Sequence, residues 1–154
     1  MIRIRPMAPH DLESVIALES AVQEAPHWAR AVYDRFLVAD PRHKRFLIAK
    51  ESSRLLGFVA GQLILDACEL DSLVVDVTIR RSGVGRALLG ALCDWAIANR
   101  AIRVQLEVRR GNSRAIEFYL NSGFTQEGLR PNYYRDPEED ALLFSLALQP
   151  KLEA

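Results

Sequence analysis

One stretch of this chain, residues 80–89, constrains the fold more than any other. It reads Arg-Arg-Ser-Gly-Val-Gly-Arg-Ala-Leu-Leu and follows the apolar run Leu73–Val75. Apolar residues then recur three and four positions apart as far as Trp95, which is the spacing of an amphipathic helix. The stretch therefore predicts a strand that passes through a glycine-containing turn directly into a helix.

The start of this helix is a candidate anion site. Its first turn leaves backbone N–H groups without partners, and the helix dipole adds positive charge there. Glycines let an anion approach the bare backbone, and arginines bind phosphate in bidentate geometry. The sequence thus predicts a pyrophosphate site formed by Arg80, Arg81, Ser82, Gly83, Val84, Gly85 and Arg86. A helix capped by Ser82, with solvated arginines, explains these residues equally well.

Two better-known phosphate-binding loops do not fit this stretch. A P-loop requires a lysine after its second glycine, and residues 80–89 contain no lysine. A dinucleotide-binding loop requires a third small residue at the position of Leu88. The glycines therefore point to another kind of phosphate contact.

Length and charge narrow the class of protein. The 154 residues are expected to form one domain, residues 1–154, and to be a monomer or weak dimer. The formal net charge of zero argues against a nucleic-acid or membrane binder, because such proteins normally carry a basic excess. Cys68 and Cys93 match no metal or redox spacing, so we expect reduced core cysteines and no metal. Because we find neither a signal-peptide pattern nor a membrane-spanning run, we expect a cytoplasmic protein.

The hydrophobic pattern predicts four helices and seven strands. Apolar residues recur at helical spacing over about 11–22, 29–38, 84–99 and 112–122, with Asn112 as a cap and Gly123 as a terminator. The predicted strands cover about 2–5, 45–50, 55–65, 68–77, 102–108, 125–134 and 141–148. Because the strands first pair as hairpins and then alternate with helices, the sheet should be mixed in direction.

This order of elements resembles the GCN5-related N-acetyltransferase (GNAT) superfamily. The superfamily's acyl-CoA pyrophosphate loop reads Gln/Arg-x-x-Gly-x-Gly/Ala, and residues 80–85 fit it at every fixed position. The chain also looks like the ribosomal-protein-alanine N-acetyltransferase family, through motifs at residues 106–109, 112, 115–116, 118–119, 123–124, 130, 132–134 and 139–141. The resemblance is weaker before Gly57, where the family's Pro-Trp-Ser step becomes Pro-His-Trp-Ala at residues 26–29.

The resemblance implies an α/β (α+β) GNAT fold. Its centre is a mixed, mostly antiparallel seven-stranded sheet, flanked by about four helices and splayed between strands 4 and 5. It implies acetyl-CoA as co-substrate, held in part by Leu73 and Val75 through their backbone and by Asn112 and Ala115. Leu73 and Val75 can be core residues as well, and Asn112 can equally be only a helix cap.

Two residues are candidates for the chemistry. Acetyl transfer to an amine requires an amine that loses a proton and a thiolate that gains one. Glu107 is the candidate general base, acting through a water, although its strand pattern alone favours a solvated or arginine-paired carboxylate. Tyr119 is the candidate general acid, although its helical spacing also fits a core tyrosine. In both cases the resemblance favours the catalytic role.

Three aromatic residues are candidates for contacts with the acceptor. The resemblance places Trp28 in one wall of the acceptor site. Tyr133 and Tyr134 follow each other on a predicted strand, so only one of them should face the acceptor. The acidic residues 138–140 could attract a basic peptide, or form an ordinary solvated turn.

The resemblance implies an N-acetyltransferase that acts on the N-terminal α-amine of a protein, most simply a ribosomal protein that begins with alanine. The altered loop at residues 26–29 keeps open a second hypothesis, in which the acceptor is a lysine side chain or a small amine. A third is a CoA-binding regulatory module without turnover, against which the presence of both Glu107 and Tyr119 argues.

Overall fold

The computed structural model describes residues 1–149. Its strands are β1 (Arg3–Pro6), β2 (Lys44–Glu51), β3 (Arg54–Ile64), β4 (Ala67–Val75), β5 (Arg103–Arg109), β6 (Thr125–Tyr134) and β7 (Glu139–Ala147). Its α-helices are α1 (Leu12–Ala21), α2 (Arg30–Val38), α3 (Val84–Ala98) and α4 (Ser113–Asn121). The predicted order of elements is confirmed. Within the described residues, no helix combines the length and apolar character needed to cross a bilayer.

The seven strands form one sheet in the order β1-β2-β3-β4-β5-β7-β6. Only β4 and β5 run parallel, and every other neighbouring pair is antiparallel. The helix α3 connects these two parallel strands, as a parallel pair requires a crossover. The predicted mixed, mostly antiparallel sheet is therefore confirmed.

The sheet is open between β4 and β5. The two strands pair only where Ala67–Glu69 lies beside Arg103–Gln105. Beyond this point β4 continues to Val75 paired with β3, and β5 continues to Arg109 paired with β7. Among the described residues the two strands do not pair again, so the predicted splay is confirmed. The gap between them connects the two faces of the sheet.

Each face of the sheet carries its own core. On β2, Leu47 and Ala49 join the cluster that packs under α3 and α4, whereas Phe46 and Ile48 join the cluster that packs under α1 and α2. This division follows from the alternation of side chains along a strand. The helices that follow the open gap thus lie on one face, and the two N-terminal helices lie on the other.

The passage from β4 into α3 differs from the prediction. The strand ends at Val75 rather than at residue 77, and a short 3-10 turn, Val77–Ile79, stands before the helix. Asp76 causes this turn, because its Oδ1 accepts the backbone N–H of Thr78 at 2.9 Å and gives the chain an alternative to strand pairing. The predicted direct passage from strand to helix is therefore wrong.

The ends of α4 are as predicted. Asn112 caps α4, since its Oδ1 accepts the backbone N–H of Ala115 at 3.2 Å, and Gly123 is left-handed with φ of 97°.

Both cysteines are free, with Cys68 buried and Cys93 half-buried. Burial raises the pKa of these thiols, to about 12 for Cys68 and about 11 for Cys93. The prediction of two reduced cysteines holds, but only Cys68 is a full core residue.

Candidate active site

The first turn of α3 presents bare backbone donors. Gly83 is the N-cap, with φ of 91°, and makes no side-chain cap; Ser82 is therefore not the cap that the alternative interpretation required. Within residues 1–149 the N–H groups of Val84, Gly85 and Arg86 make no hydrogen bond, and the first bond of the helix joins the Ala87 N–H to the Gly83 carbonyl. These donors are available to an anion.

The three arginines of this turn differ in their surroundings. Arg80 is ion-paired with Glu24 at 3.4 Å, which ties the start of α3 to the connection between α1 and α2. Arg81 and Arg86 are exposed and form no ion pair with another described residue. Val84 is 1% exposed, so only its backbone can contact a ligand. The predicted pyrophosphate site therefore has free N–H groups and two unpaired cations.

The end of β4, the start of α3 and the middle of α4 meet at this turn. A Cβ atom placed on Gly85 would lie 3.3 Å from Phe118 Cε1 and 3.6 Å from Val75 Cγ2. A glycine at 85 thus lets α4 and the β4 edge approach the helix closely. Leu73 and Val75 are half-buried against the α3 core, and the edge of their strand that faces β5 is unpaired.

Tyr119 lies on the face of α4 that packs into the core, and Ala115 packs against the same core. It is 7% exposed, and its ring makes edge contacts with Phe118 and Phe124 at centroid distances of 5.3 Å. Burial raises the pKa of the Tyr119 phenol, so the hydroxyl is protonated at neutral pH. Among the described residues this hydroxyl has no hydrogen-bond partner. A protonated, unpartnered donor is what a general acid requires.

Glu107 lies on the opposite face of the sheet from Tyr119. Its neighbours Leu106 and Val108 point into the α3 core, so the carboxylate points away from it. The side chain is 21% exposed, and its Oε1 lies 3.6 Å from Arg130 Nη1. Interaction with the Glu107 carboxylate raises the pKa of the Tyr133 phenol. Glu107 and Tyr119 therefore lie on opposite faces of the sheet, and their joint action at the gap between β4 and β5 stays a prediction.

The two neighbouring tyrosines lie close together. Their rings meet edge to face at 5.1 Å, and the charge of Glu107 acts on both. Asn132 has φ of 52° and the pairing of β6 with β7 shifts register between Arg130 and Tyr134, so strict alternation fails there. Burial first, and then Glu107, raises the pKa of Tyr134 to about 12. Both rings therefore lie near Glu107, and the expectation that only one tyrosine faces the acceptor stays a prediction.

Trp28 lines a cavity of about 290 Å³ between α2 and the sheet. Its indole stacks on Phe36 with ring centres 5.9 Å apart. The opposite wall includes Gln62 and Asp71, whose side chains are joined by a 3.0 Å hydrogen bond. Burial, the largest cause, and the charge of Glu69 raise the pKa of Asp71 to about 6.

Sequence reasoning missed several residues of this face. Glu69 and Asp71 stand two apart on β4, and that period could have placed them on one side of the strand. Glu69 also acts on Tyr133, so the acidic groups extend from Glu107 towards the Trp28 cavity. The motif at residue 130 does not predict the contact of Arg130 with Glu107, because this contact depends on a strand register that the sequence does not fix.

Comparison with known proteins identifies relatives. The family model described as Acetyltransferase (GNAT) family matches residues 11–124. A protein of Escherichia coli K12 named [Ribosomal protein bS18]-alanine N-acetyltransferase is 35% identical over 100 residues, which are 64% of this chain and 68% of that protein. An uncharacterised protein of Mycobacterium leprae is 33% identical over 147 residues, 92% of this chain. The chain spans only 40% of the length of that longer relative.

A solved structure has the same fold. The crystal structure of the ribosomal-protein-S18-alanine N-acetyltransferase from Escherichia coli superposes with a TM-score of 0.84 at 28% sequence identity. The match covers 99% of this chain and 97% of that one. The chain therefore shares its overall fold with that protein.

Proposed function

The chain belongs to the acetyltransferase (GNAT) family, and from this premise we propose that it transfers the acetyl group of acetyl-CoA to a protein N-terminal α-amine. The observation that carries the proposal is the gap between β4 and β5, with Glu107 on one face and Tyr119 on the other. The similarity to the Escherichia coli enzyme supports a ribosomal protein beginning with alanine as the acceptor. The reaction would take place in the cytoplasm.

The start of α3 is suited to the coenzyme's pyrophosphate. The free N–H groups of Val84, Gly85 and Arg86 and the exposed guanidinium groups of Arg81 and Arg86 can neutralise two phosphates. The unpaired β4 edge at Leu73–Val75 offers backbone groups to the amides of the pantetheine arm. The co-substrate supplies a thioester, whose carbonyl carbon is the electrophile.

The acceptor amine forms the new bond in one direct step. Its nitrogen attacks the thioester carbonyl carbon, a C–N bond forms, and the C–S bond breaks. Glu107 accepts the amine proton through a water, and Tyr119 gives its proton to the leaving thiolate. A peptide α-amine has a pKa of about 7.7–8.0, so it needs less help from a base than lysine, at about 10.4.

Acidic groups on the open face could attract a cationic acceptor. Asp71 lines the Trp28 cavity together with Arg35 and Lys44, and Glu69 and Glu107 lie on the same face, where Arg130 contacts Glu107. An ammonium group would be attracted before it loses its proton. The same charges would also attract a lysine side chain, so the acceptor has to be tested directly.

The test measures thiol release from acetyl-CoA with matched acceptors. One peptide begins with a free alanine, a second is the same peptide blocked at its N-terminus and carrying one lysine, and the third acceptor is a polyamine. We expect release with the free alanine peptide only. Release with the blocked peptide or polyamine alone would replace the N-terminal acceptor by a side chain or small amine. Binding of acetyl-CoA without release from any acceptor would favour a regulatory module.

A further inference from the structure

Glu19 is a carboxylate buried in the apolar core. It is 2% exposed and stands seven residues after Leu12 and four after Val15, on the buried face of α1. Such a position normally holds an apolar side chain, and burying a carboxylate is costly unless it is hydrogen-bonded. A glutamate here therefore requires a structural reason.

One oxygen of Glu19 ties three segments together. Its Oε1 accepts the backbone N–H of Trp28 at 3.0 Å and a short hydrogen bond from the hydroxyl of Tyr33. Trp28 belongs to the connection between α1 and α2, and Tyr33, at 0% exposure, belongs to α2. Burial, and then the bond to Glu19, raises the pKa of Tyr33, so this phenol is a permanent donor. The other oxygen, Oε2, is buried with no partner among residues 1–149.

The segments that Glu19 joins form one wall of the Trp28 cavity. The Trp28 ring stacks on Phe36 at 5.9 Å and meets the edge of Tyr33 at 5.7 Å. Trp28 and Phe36 line the cavity opposite Gln62 and Asp71. The connection itself, residues 22–29, contains no helix or strand. Its Trp28 N–H is therefore held by the bond to a side chain.

We propose that Glu19 is a positioning residue for acceptor recognition, which fixes Trp28 and Tyr33 and so sets the shape of the cavity that receives the acceptor's first residues. This inference rests on the proposed function. It predicts that Glu19 governs affinity for the acceptor more than affinity for acetyl-CoA, whose site is built from β4 and the start of α3 and contacts the connection through the Arg80–Glu24 ion pair.

The test compares four variants by steady-state kinetics with the alanine peptide. We expect Glu19→Ala to raise the acceptor KM about tenfold, because the cavity wall loses both hydrogen bonds that fix Trp28 and Tyr33, with little change in kcat and a smaller change in the KM for acetyl-CoA. Tyr33→Phe should raise the acceptor KM less. Glu19→Gln should largely restore the parent value, because its amide oxygen can still accept both hydrogen bonds. Val15→Ala, in the same core but with no polar role, is the control.

A spectroscopic readout separates positioning from simple loss of stability. In a Trp95→Phe background Trp28 is the one remaining tryptophan, and Glu19→Ala should shift its emission to the red and increase its quenching by acrylamide. Val15→Ala should leave the emission unchanged. If Glu19→Ala does not fold, Tyr33→Phe and Glu19→Gln carry the same comparison.

Three results would overturn the inference. The first is an unchanged acceptor KM in Glu19→Ala, or in Tyr33→Phe if Glu19→Ala does not fold. The second is an equal rise in the KM for the acceptor and the KM for acetyl-CoA. The third is a rise in the acceptor KM that Val15→Ala reproduces. The unsubstituted protein separates these results from a failure of the proposed function. If it transfers acetyl groups to no N-terminal peptide, the proposed function itself is contradicted.

Discussion

Among single residues, Tyr119 stands out because its hydroxyl is a hydrogen-bond donor without a partner in the described structure. Its ring is surrounded by apolar side chains, and no described residue accepts its proton. The hydroxyl oxygen is not among the fully buried, unpartnered side-chain atoms of residues 1–149, so it reaches an accessible surface. The proposed role as general acid would give this hydroxyl a partner, the leaving thiolate.

Replacing Tyr119 by phenylalanine tests this reason directly. We expect Tyr119→Phe to lower kcat by about 10²–10⁴-fold, the usual contribution of a general acid, while acetyl-CoA affinity and the free energy of unfolding stay the same or improve. Stopped assays give kcat, calorimetry gives affinity and urea titration gives stability. Turnover within a few-fold of the parent would make Tyr119 a packing residue.

Glu107 should show its role in the pH dependence of the rate. We expect Glu107→Gln to be slowest relative to the parent below about pH 8, where an α-amine is mostly protonated, and to approach the parent as the pH rises past that pKa. A rate–pH profile for the alanine peptide measures this. Glu117→Gln, an exposed change on α4, is the matched control. A deficit that does not change with pH would make Glu107 a positioning residue.

Among the secondary-structure elements, α3 begins with a left-handed residue, Gly83, next to the proposed pyrophosphate site. Gly83 adopts φ of 91°, and a Cβ added there would point into open space, with no described atom beyond its chain neighbours within 4 Å. That space lies beside the free N–H groups of the first turn. A side chain at 83 would therefore occupy the region proposed for the pyrophosphate.

Substituting this glycine should weaken coenzyme binding. We expect Gly83→Val to reduce acetyl-CoA affinity at least about tenfold, through the lost approach to the backbone and the strain of a branched side chain at positive φ. Gly90→Val is the control, because an added Cβ at Gly90 also meets open space but lies on the exposed face of α3. Unchanged affinity in a folded Gly83→Val protein, measured by calorimetry, would contradict the pyrophosphate site.

The sequence predicted these elements well because hydrophobic period and capping are local properties. Helix α4, for example, follows from its apolar spacing, the Asn112 cap and the left-handed Gly123. The sequence could not predict the contacts between residues that are distant along the chain. The hydrogen bond from Tyr33 to Glu19 joins positions 14 apart, and the contact between Tyr133 and Tyr134 depends on a bulge in β6. The 3-10 turn after β4 was missed because Asp76 competes locally with strand pairing.

At the scale of the whole molecule, two aspartates make stability depend on pH in opposite directions. Arg5 is the main cause that lowers the pKa of Asp11 to about 2, whereas burial raises the pKa of Asp71 to about 6. Asp11 therefore stabilises the fold above about pH 4, and this contribution is lost as the pH falls towards 2. Asp71 has the opposite effect on stability, because its charged form is disfavoured in the fold. The free energy of unfolding therefore falls as the pH rises from about 4 to 6.

Asparagine substitutions should reveal these opposite signs. We expect Asp71→Asn to raise the free energy of unfolding at pH 8 by roughly 1–3 kcal/mol and to have no effect near pH 4, since the amide keeps an acceptor for Gln62. Asp11→Asn should destabilise the protein at pH 8, with a deficit that shrinks as the pH falls below 4. Urea titrations across this pH range measure both. A destabilised Asp71→Asn at pH 8 would show that the carboxylate is needed for the fold.

The opening between β4 and β5 has a consequence for amide exchange with deuterated solvent. Only three residue pairs join β4 to β5, so the inward-facing amides of residues 73–75 and 106–109 have no partner strand across the gap. In the free protein these amides should exchange much faster than those in the paired segment at residues 67–69. A ligand seated between the strands would slow their exchange while leaving the paired segment unchanged. Deuterium uptake therefore reports occupancy of the gap without any requirement for turnover.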